Sequence, residues 1–243
     1  MVEFLVIVIA LILLLALTFL RRKSSPTFRP IPALTRLYRA IGLSVEDGTR
    51  LHVSLGRGNL LSGRGGASLA GLAMLRHLTE RTSVSDKPPI ATAGDPALAL
   101  LMQDTLKAGY QAANAEDLYL PSTGRLTGPT PFSYAAGAMS VVRDENVSAN
   151  VLIGDFGPES ALLVESAERV NVPTLGGTGD LAGQAVLYAA AQEPLIGEEL
   201  FSAGAYLGAG SSHAASLTVQ DILRWALILF LLVGSALKLV GII

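Results

Sequence analysis

Two apolar runs close the chain at its ends, and any fold must take both of them out of water. Phe4 to Leu20 is unbroken, and Ile222 to Ile243 is interrupted only by Arg224 and Lys238. The first run makes about 25 Å of helix at 1.5 Å per residue, enough to span a bilayer with help from its flanks. A cleaved signal would carry its charges before the run and end in small residues. Here Glu3 precedes it and Arg21-Arg22-Lys23 follows, the order of an uncleaved anchor with its N-terminus outside. The second run opens on the interfacial pair Arg224-Trp225, holds a small-residue patch at Gly234-Ser235-Ala236, and has Lys238 close enough to its end to snorkel. The expectation is a protein of the inner (plasma) membrane with two spans and a cytoplasmic middle. Residues 1–21 form the first anchor, 22–43 a basic neck, 44–212 the central domain and 221–243 the second span.

Charge separates these parts. Residues 21–39 carry Arg21, Arg22, Lys23, Arg29, Arg36 and Arg39 and no acid, whereas residues 44–219 carry 10 basic and 18 acidic side chains. An acidic domain lacks the phosphate contacts on which nucleic-acid affinity rests, so no nucleic-acid partner is expected. The neck suits anionic lipid headgroups, and it equally serves as an ordinary stop-transfer signal. There is no cysteine, which excludes disulfides, thiol nucleophiles and thiolate metal sites; His52, His77 and His213 follow no ligand spacing.

The middle alternates strands with helices. After Pro26, Pro30 and Pro32 comes a basic amphipathic stretch, Ala33 to Ile41. Strands are expected at Arg50–Leu55, Pro89–Ala93, Leu118–Leu120, Asn150–Ile153 and Pro173–Leu175. Helices are expected at 67–81, with Leu69, Leu72, Leu75 and Leu78 on one face, and at 96–113, 131–142, 158–170, 181–191 and 199–206. This alternation predicts an α/β fold: a mostly parallel, Rossmann-like open sheet with helices on both faces, flanked by the two terminal spans.

Ligands of open α/β sheets sit beyond the carboxyl ends of the strands. Five loops are expected there: Gly56-Arg57-Gly58-Asn59, Thr92-Ala93-Gly94-Asp95, Ser122-Thr123-Gly124, Asp155 to Glu159, and Gly176 to Asp180. Glycines and capping residues are ordinary turn chemistry, but five such ends can frame one cleft. The candidate ligand-binding residues are Gly56, Arg57, Gly58, Asn59, Thr92, Asp95, Asp155, Thr178 and Asp180. The loop from Gly56 to Ser68, with Gly63, Gly65, Gly66 and Arg64, can present backbone N–H groups to a phosphate. It lacks G-K-[ST], and its glycines do not follow G-x-G-x-x-G directly before a helix. Asp95, Asp155, Glu159 and Asp180 are candidates for a carboxylate cluster serving acid–base work or Mg²⁺. No motif names a cofactor, a resident metal or a catalytic residue.

The stretches Gly177-Thr178-Gly179-Asp180-Leu181-Ala182-Gly183-Gln184 and Glu193 to Leu207, with Arg29-Pro30-Ile31-Pro32 and Gly48 to Ser54, resemble an uncharacterised family of bacterial and archaeal membrane-anchored proteins. The resemblance implies a membrane protein and supplies no catalytic residue. Two functions stand as expectations. One is a membrane-tethered structural, scaffold or interaction domain that forms homo-oligomers or binds a membrane-protein partner. The other is a domain that binds a nucleotide or another small anionic ligand in the strand-end cleft, with metal-assisted chemistry as its enzymatic form.

Overall fold

The structure is a computed structural model that describes residues 2–20, 29–60, 65–83, 85, 87–208 and 210–239, with side chains from Phe4 onward. Arg21, Arg22, Lys23, Pro26, Gly63, Arg64 and residues 240–243 lie outside the described residues. Two compact units form: Arg29–Leu207, and the termini Met1–Phe28 with Gly208–Ile243. Helix α1 (Val2–Leu20) opens the terminal unit.

The central unit begins with α2 (Pro32–Glu46), whose proline sits in the first turn, where its missing N–H costs nothing. Strands and helices then alternate: β1 (Arg50–Gly56), α3 (Gly65–Thr82), β2 (Ile90–Ala93), α4 (Pro96–Ala112), β3 (Gly124–Leu126), α5 (Pro131–Asp144) and β4 (Val147–Asp155). They continue as α6 (Ser160–Arg169), β5 (Thr174–Thr178), α7 (Leu181–Ala190), β6 (Glu193–Pro194) and α8 (Glu199–Tyr206). The six strands pair in the order β3-β2-β1-β4-β5-β6, and every pair is parallel. This is the order of a doubly wound sheet, and it reverses between β1 and β4.

Strand alternation divides the core. Leu51, Val53 and Leu55 of β1, with Val151 and Ile153 of β4, join the apolar residues of α2, α3, α4 and α8 in the largest cluster. The opposite face of β4 sends Leu152 into a second cluster with Tyr134, Leu163 and Leu187 of α5, α6 and α7. Helices therefore cover both faces. α2, set apart in the sequence as neck, belongs to the core: its Leu34, Leu37 and Ile41 are buried.

Three expectations shift. The third strand is Gly124–Leu126; Glu116–Leu118 and Pro121–Thr123 are 3-10 turns instead. Pro121 lacks the N–H a ladder needs, and its fixed φ suits the start of such a turn. Leu69 is 54% exposed while Leu72, Leu75 and Leu78 are buried, because a strict three-residue spacing drifts around a helix of 3.6 residues per turn. Gly176 and Gly177 lie inside β5 rather than after it: a Cβ on Gly176 would meet Leu187 of α7 at 2.8 Å, and one on Gly177 would meet Leu195 at 3.0 Å.

The terminal unit pairs α1 with α9 (Ser211–Leu239), and the two helices are in contact. By length and composition α9 is a candidate membrane span; Phe4–Leu20 is an apolar helix of shorter length. α9 starts ten residues ahead of the expected 221, taking in the polar stretch from Ser211 to Gln220. Asp221 and Arg224 pair at 3.4 Å where the apolar run begins.

Candidate site at the carboxyl ends of the central strands

The sheet reverses between β1 and β4, so the crevice that a doubly wound fold offers to ligands opens beyond Gly56 and Asp155, which are register partners. The strand ends there are tied side by side. Gly94 N–H donates to Gly56 O at 2.9 Å, and Arg57 N–H to Asp155 O at 3.0 Å. Phe156 N–H donates to Thr178 Oγ1 at 2.9 Å, and the same hydroxyl donates to Phe156 O at 3.1 Å. The ends of β2, β1, β4 and β5 thus form one continuous rim.

Two glycines are structural necessities on this rim. Gly56 turns the chain at φ +75, and a Cβ there would lie 2.3 Å from Asp155 O. Gly58 faces inward, where a Cβ would lie 2.4 Å from Ser68 Oγ and 2.8 Å from Asp155 Cβ. Ser68 is the fourth residue of α3 and fully buried, and its hydroxyl has no hydrogen-bond partner among the described residues. A buried hydroxyl without a partner carries a desolvation cost of roughly 1–3 kcal/mol, so this orphan invites an explanation. It sits at the first turn of an 18-residue helix, where backbone N–H groups and the helix dipole favour negative charge.

Arg57 brings a cation to the same place. Its Nε lies 3.1 Å from Oε1 of Glu159, whose side chain is 5% exposed against 27% for the arginine. Glu159 Oε1 also accepts from Gly157 N–H at 3.1 Å. Arg57 packs closely on Gly94, where a Cβ would lie 2.5 Å from Arg57 Cγ. Beside the rim, a cavity of about 300 Å³ is lined by Gly66, Ala67, Gly179, Gln184, Glu198 and Phe201 among others, so it opens against the start of α3 and the loop after β5.

Beneath the crevice runs a buried polar ladder. Asn150 Nδ2 donates to Thr174 Oγ1 at 3.2 Å, which leaves Asn150 Oδ1 to accept from His52 Nδ1 at 2.7 Å. His52 Nε2 then accepts from the Thr92 hydroxyl at 2.9 Å, and Thr92 accepts from Ser54 at 2.9 Å. Ser54 accepts from the Tyr134 hydroxyl, and Tyr134 accepts from Gly56 N–H at 3.1 Å. The orientation at one end fixes every hydroxyl to the other. All six side chains are fully buried. Burial holds His52 down at about 4, against the raising effect of the Asn150 hydrogen bond, so the imidazole is neutral. Burial likewise pushes the Tyr134 phenol up to about 12.

The candidate residues divide accordingly. Gly56, Arg57, Gly58 and Asp155 meet at the reversal point, and Asn59 follows them, exposed. Thr92 and Thr178 are buried, with their hydroxyls engaged inside the sheet and at the rim. Asp95 caps α4 through Leu98 N–H at 2.9 Å, and Asp180 caps α7 through Gly183 N–H at 3.0 Å. The carboxylates do not gather: among the described residues no three acids or histidines could hold a metal ion together. Ser122, Thr123 and Gly124 leave the rim, because Ser122 and Thr123 precede β3 and Gly124 opens it, instead of following a strand. Ser68, Tyr134 and the ladder are additions that loop composition did not suggest.

The family model of DUF6754, described as a domain of unknown function, matches residues 1–243, and the chain belongs to that family. No curated protein and no solved structure gives a match.

Proposed function

We propose that this DUF6754 member is a membrane-tethered domain that binds a small phosphate-bearing ligand, a nucleotide or a related anion, at the reversal point of its sheet. One observation carries the reading: the hydroxyl of Ser68, without a partner among the described residues and buried in the first turn of α3 against Gly58, beyond the strands where the sheet reverses. Arg57 supplies the countercharge, exchanging part of its contact with Glu159 for the ligand, and the cavity beside Gly66 takes the rest of the molecule. The ladder beneath acts as a rigid floor that fixes Gly56 through Tyr134. This is a binding site; no residue is assigned a catalytic role.

α1 and α9 form two spans of the plasma membrane, with the basic neck and the central domain on the cytoplasmic side. Arg21-Arg22-Lys23 after the first apolar run support that orientation. A scaffold role is a second reading, favoured by apolar side chains on one outer helix: Leu181 and Tyr188 of α7 are 83% and 67% exposed, a surface that suits a homo-oligomer or a membrane-protein partner.

Thermal-shift screening of the detergent-solubilised full chain against nucleotides, dinucleotides, pyrophosphate and divalent metals separates the two. Stabilisation by a phosphate-bearing compound is expected. Its absence across the panel, with self-association at micromolar concentration, would support the scaffold.

A further inference from the structure

A second cavity lies at the opposite ends of the strands, near the amino ends of β4 and β5. It holds about 260 Å³ between α2 and the strands, with walls of Ala33, Leu37, Leu43, Ala149, Val151 and Leu175. Ala33, Leu37 and Ala40 form one stripe of α2 at helical spacing, so the cavity is the gap that small side chains leave between this helix and the sheet. Leu43 stands at the edge and is 55% exposed.

The lining is not uniformly apolar. Arg36 and Arg39 of α2 border the same space, and Glu193 of β6 pairs with Arg36. From Arg29 to Val45 the chain has three arginines and no acid. An apolar pocket with guanidinium groups on one border is the chemistry of an anionic amphiphile: a hydrocarbon tail inside, a phosphate outside. Residues 21–31 are the covalent link between the first apolar helix and α2, the helix that carries the cavity.

We propose that this cavity takes the acyl chain of an anionic membrane lipid, whose headgroup phosphate is held by Arg36 and Arg39. The site rests on the membrane-tether part of the function proposed above and is independent of the ligand crevice, which lies at the opposite ends of the strands. Its role is to seat the central domain on the acidic leaflet, so that lipid composition reaches a domain whose other end binds a soluble ligand.

The test reconstitutes the full chain into bilayers containing phosphatidylglycerol with a photoreactive group near the end of one acyl chain, and maps the adducts by peptide mass spectrometry. Adducts are expected on peptides containing Leu37, Leu43 or Val151. They should fall about tenfold with the phosphatidylcholine probe or in Arg39→Glu, the change made by losing a charge-assisted contact. Ala40→Trp fills the cavity and should abolish them. Leu43→Glu provides a second variant at an exposed position that the fold does not need, and the same loss is expected. Adducts confined to 4–20 and 211–239 overturn the lipid site and leave the tether standing. No adducts anywhere overturn the tether itself, and equal labelling by both headgroups overturns the assignment to an anionic lipid.

Discussion

His52 Nδ1 lies 2.7 Å from Asn150 Oδ1, across the β1–β4 pair at the centre of the sheet, in the strands between which the sheet order reverses. The contact sets the tautomer of a fully buried histidine and, through Thr92, Ser54 and Tyr134, the orientation of the hydroxyl that holds Gly56 N–H. A polar network in the core is stabilising only while every member is satisfied.

Stability should therefore depend on pH through His52. In the unfolded chain the imidazole takes its proton near 6.5, and in the folded domain only near 4. Between these values the unfolded state binds more protons, so stability is full above pH 6.5 and falls as pH drops toward 4, by about 3 kcal/mol in all. Thermal melts of the full chain from pH 7.5 to 4 check this. His52→Gln should be less stable at pH 7 and show a flatter profile between 6.5 and 4; an unchanged slope would contradict the burial of a neutral imidazole.

Tyr134→Phe removes one oxygen and leaves Gly56 N–H without its acceptor and Ser54 without its donor. A loss of roughly 1–3 kcal/mol is expected. Hydrogen exchange at the Gly56 amide should accelerate more than at Val53, which lies deeper in the same strand.

Arg57→Ala should cost more than Glu159→Gln. The first strands a carboxylate that is 5% exposed, the second an arginine that can turn toward water. The single change at Arg57 is expected to cost toward the lower end of about 3–5 kcal/mol, with the double variant recovering much of it. Urea unfolding of the three variants measures the difference.

Leu34→Ala tests whether α2 is neck or core. Leu34 is 2% exposed in the main apolar cluster, and its truncation should lower stability by about 2–5 kcal/mol. A shift near zero would mean that α2 is only a linker.

The fold was legible where hydrophobic pattern and turn chemistry agreed. The strand at Arg50 and the helices opened by Pro96 and Pro131 stand within a few residues of expectation. The third strand was not legible, because three residues at a sheet edge carry too little pattern to outweigh the apolar Leu118-Tyr119-Leu120 beside them. Of the site, the glycine turn after β1 was readable, since a tight turn demands those residues. Asp95, Asp180 and Thr178 looked alike in sequence but serve as caps and a rim tie, a distinction that only the hydrogen bonds make. The ladder was written in the alternation: His52 and Ser54 interrupt an apolar strand at every second position, and Thr92, Asn150 and Thr174 lie on the same face of its neighbours. Alternation usually marks a face open to water; here α5 covers it, so the polar side chains must satisfy one another. Ser68 had no signal, because a serine early in a helix reads as an ordinary first-turn residue.

The proposed function requires that the Ser68 hydroxyl, which has no partner among the described residues, be held for a ligand. The most direct measurement is the thermal midpoint of the full chain and of Ser68→Ala, each with and without the phosphate-bearing compounds of the panel. Without ligand, Ser68→Ala should melt at the same temperature as the native chain or higher, since an unsatisfied buried hydroxyl has been removed. At a hundred times its Kd, a ligand should stabilise the native chain by about 2.7 kcal/mol, or roughly 5–10 °C, and the variant by clearly less. A variant that loses stability without ligand, or keeps the full ligand shift, would mean that Ser68 does not serve a ligand.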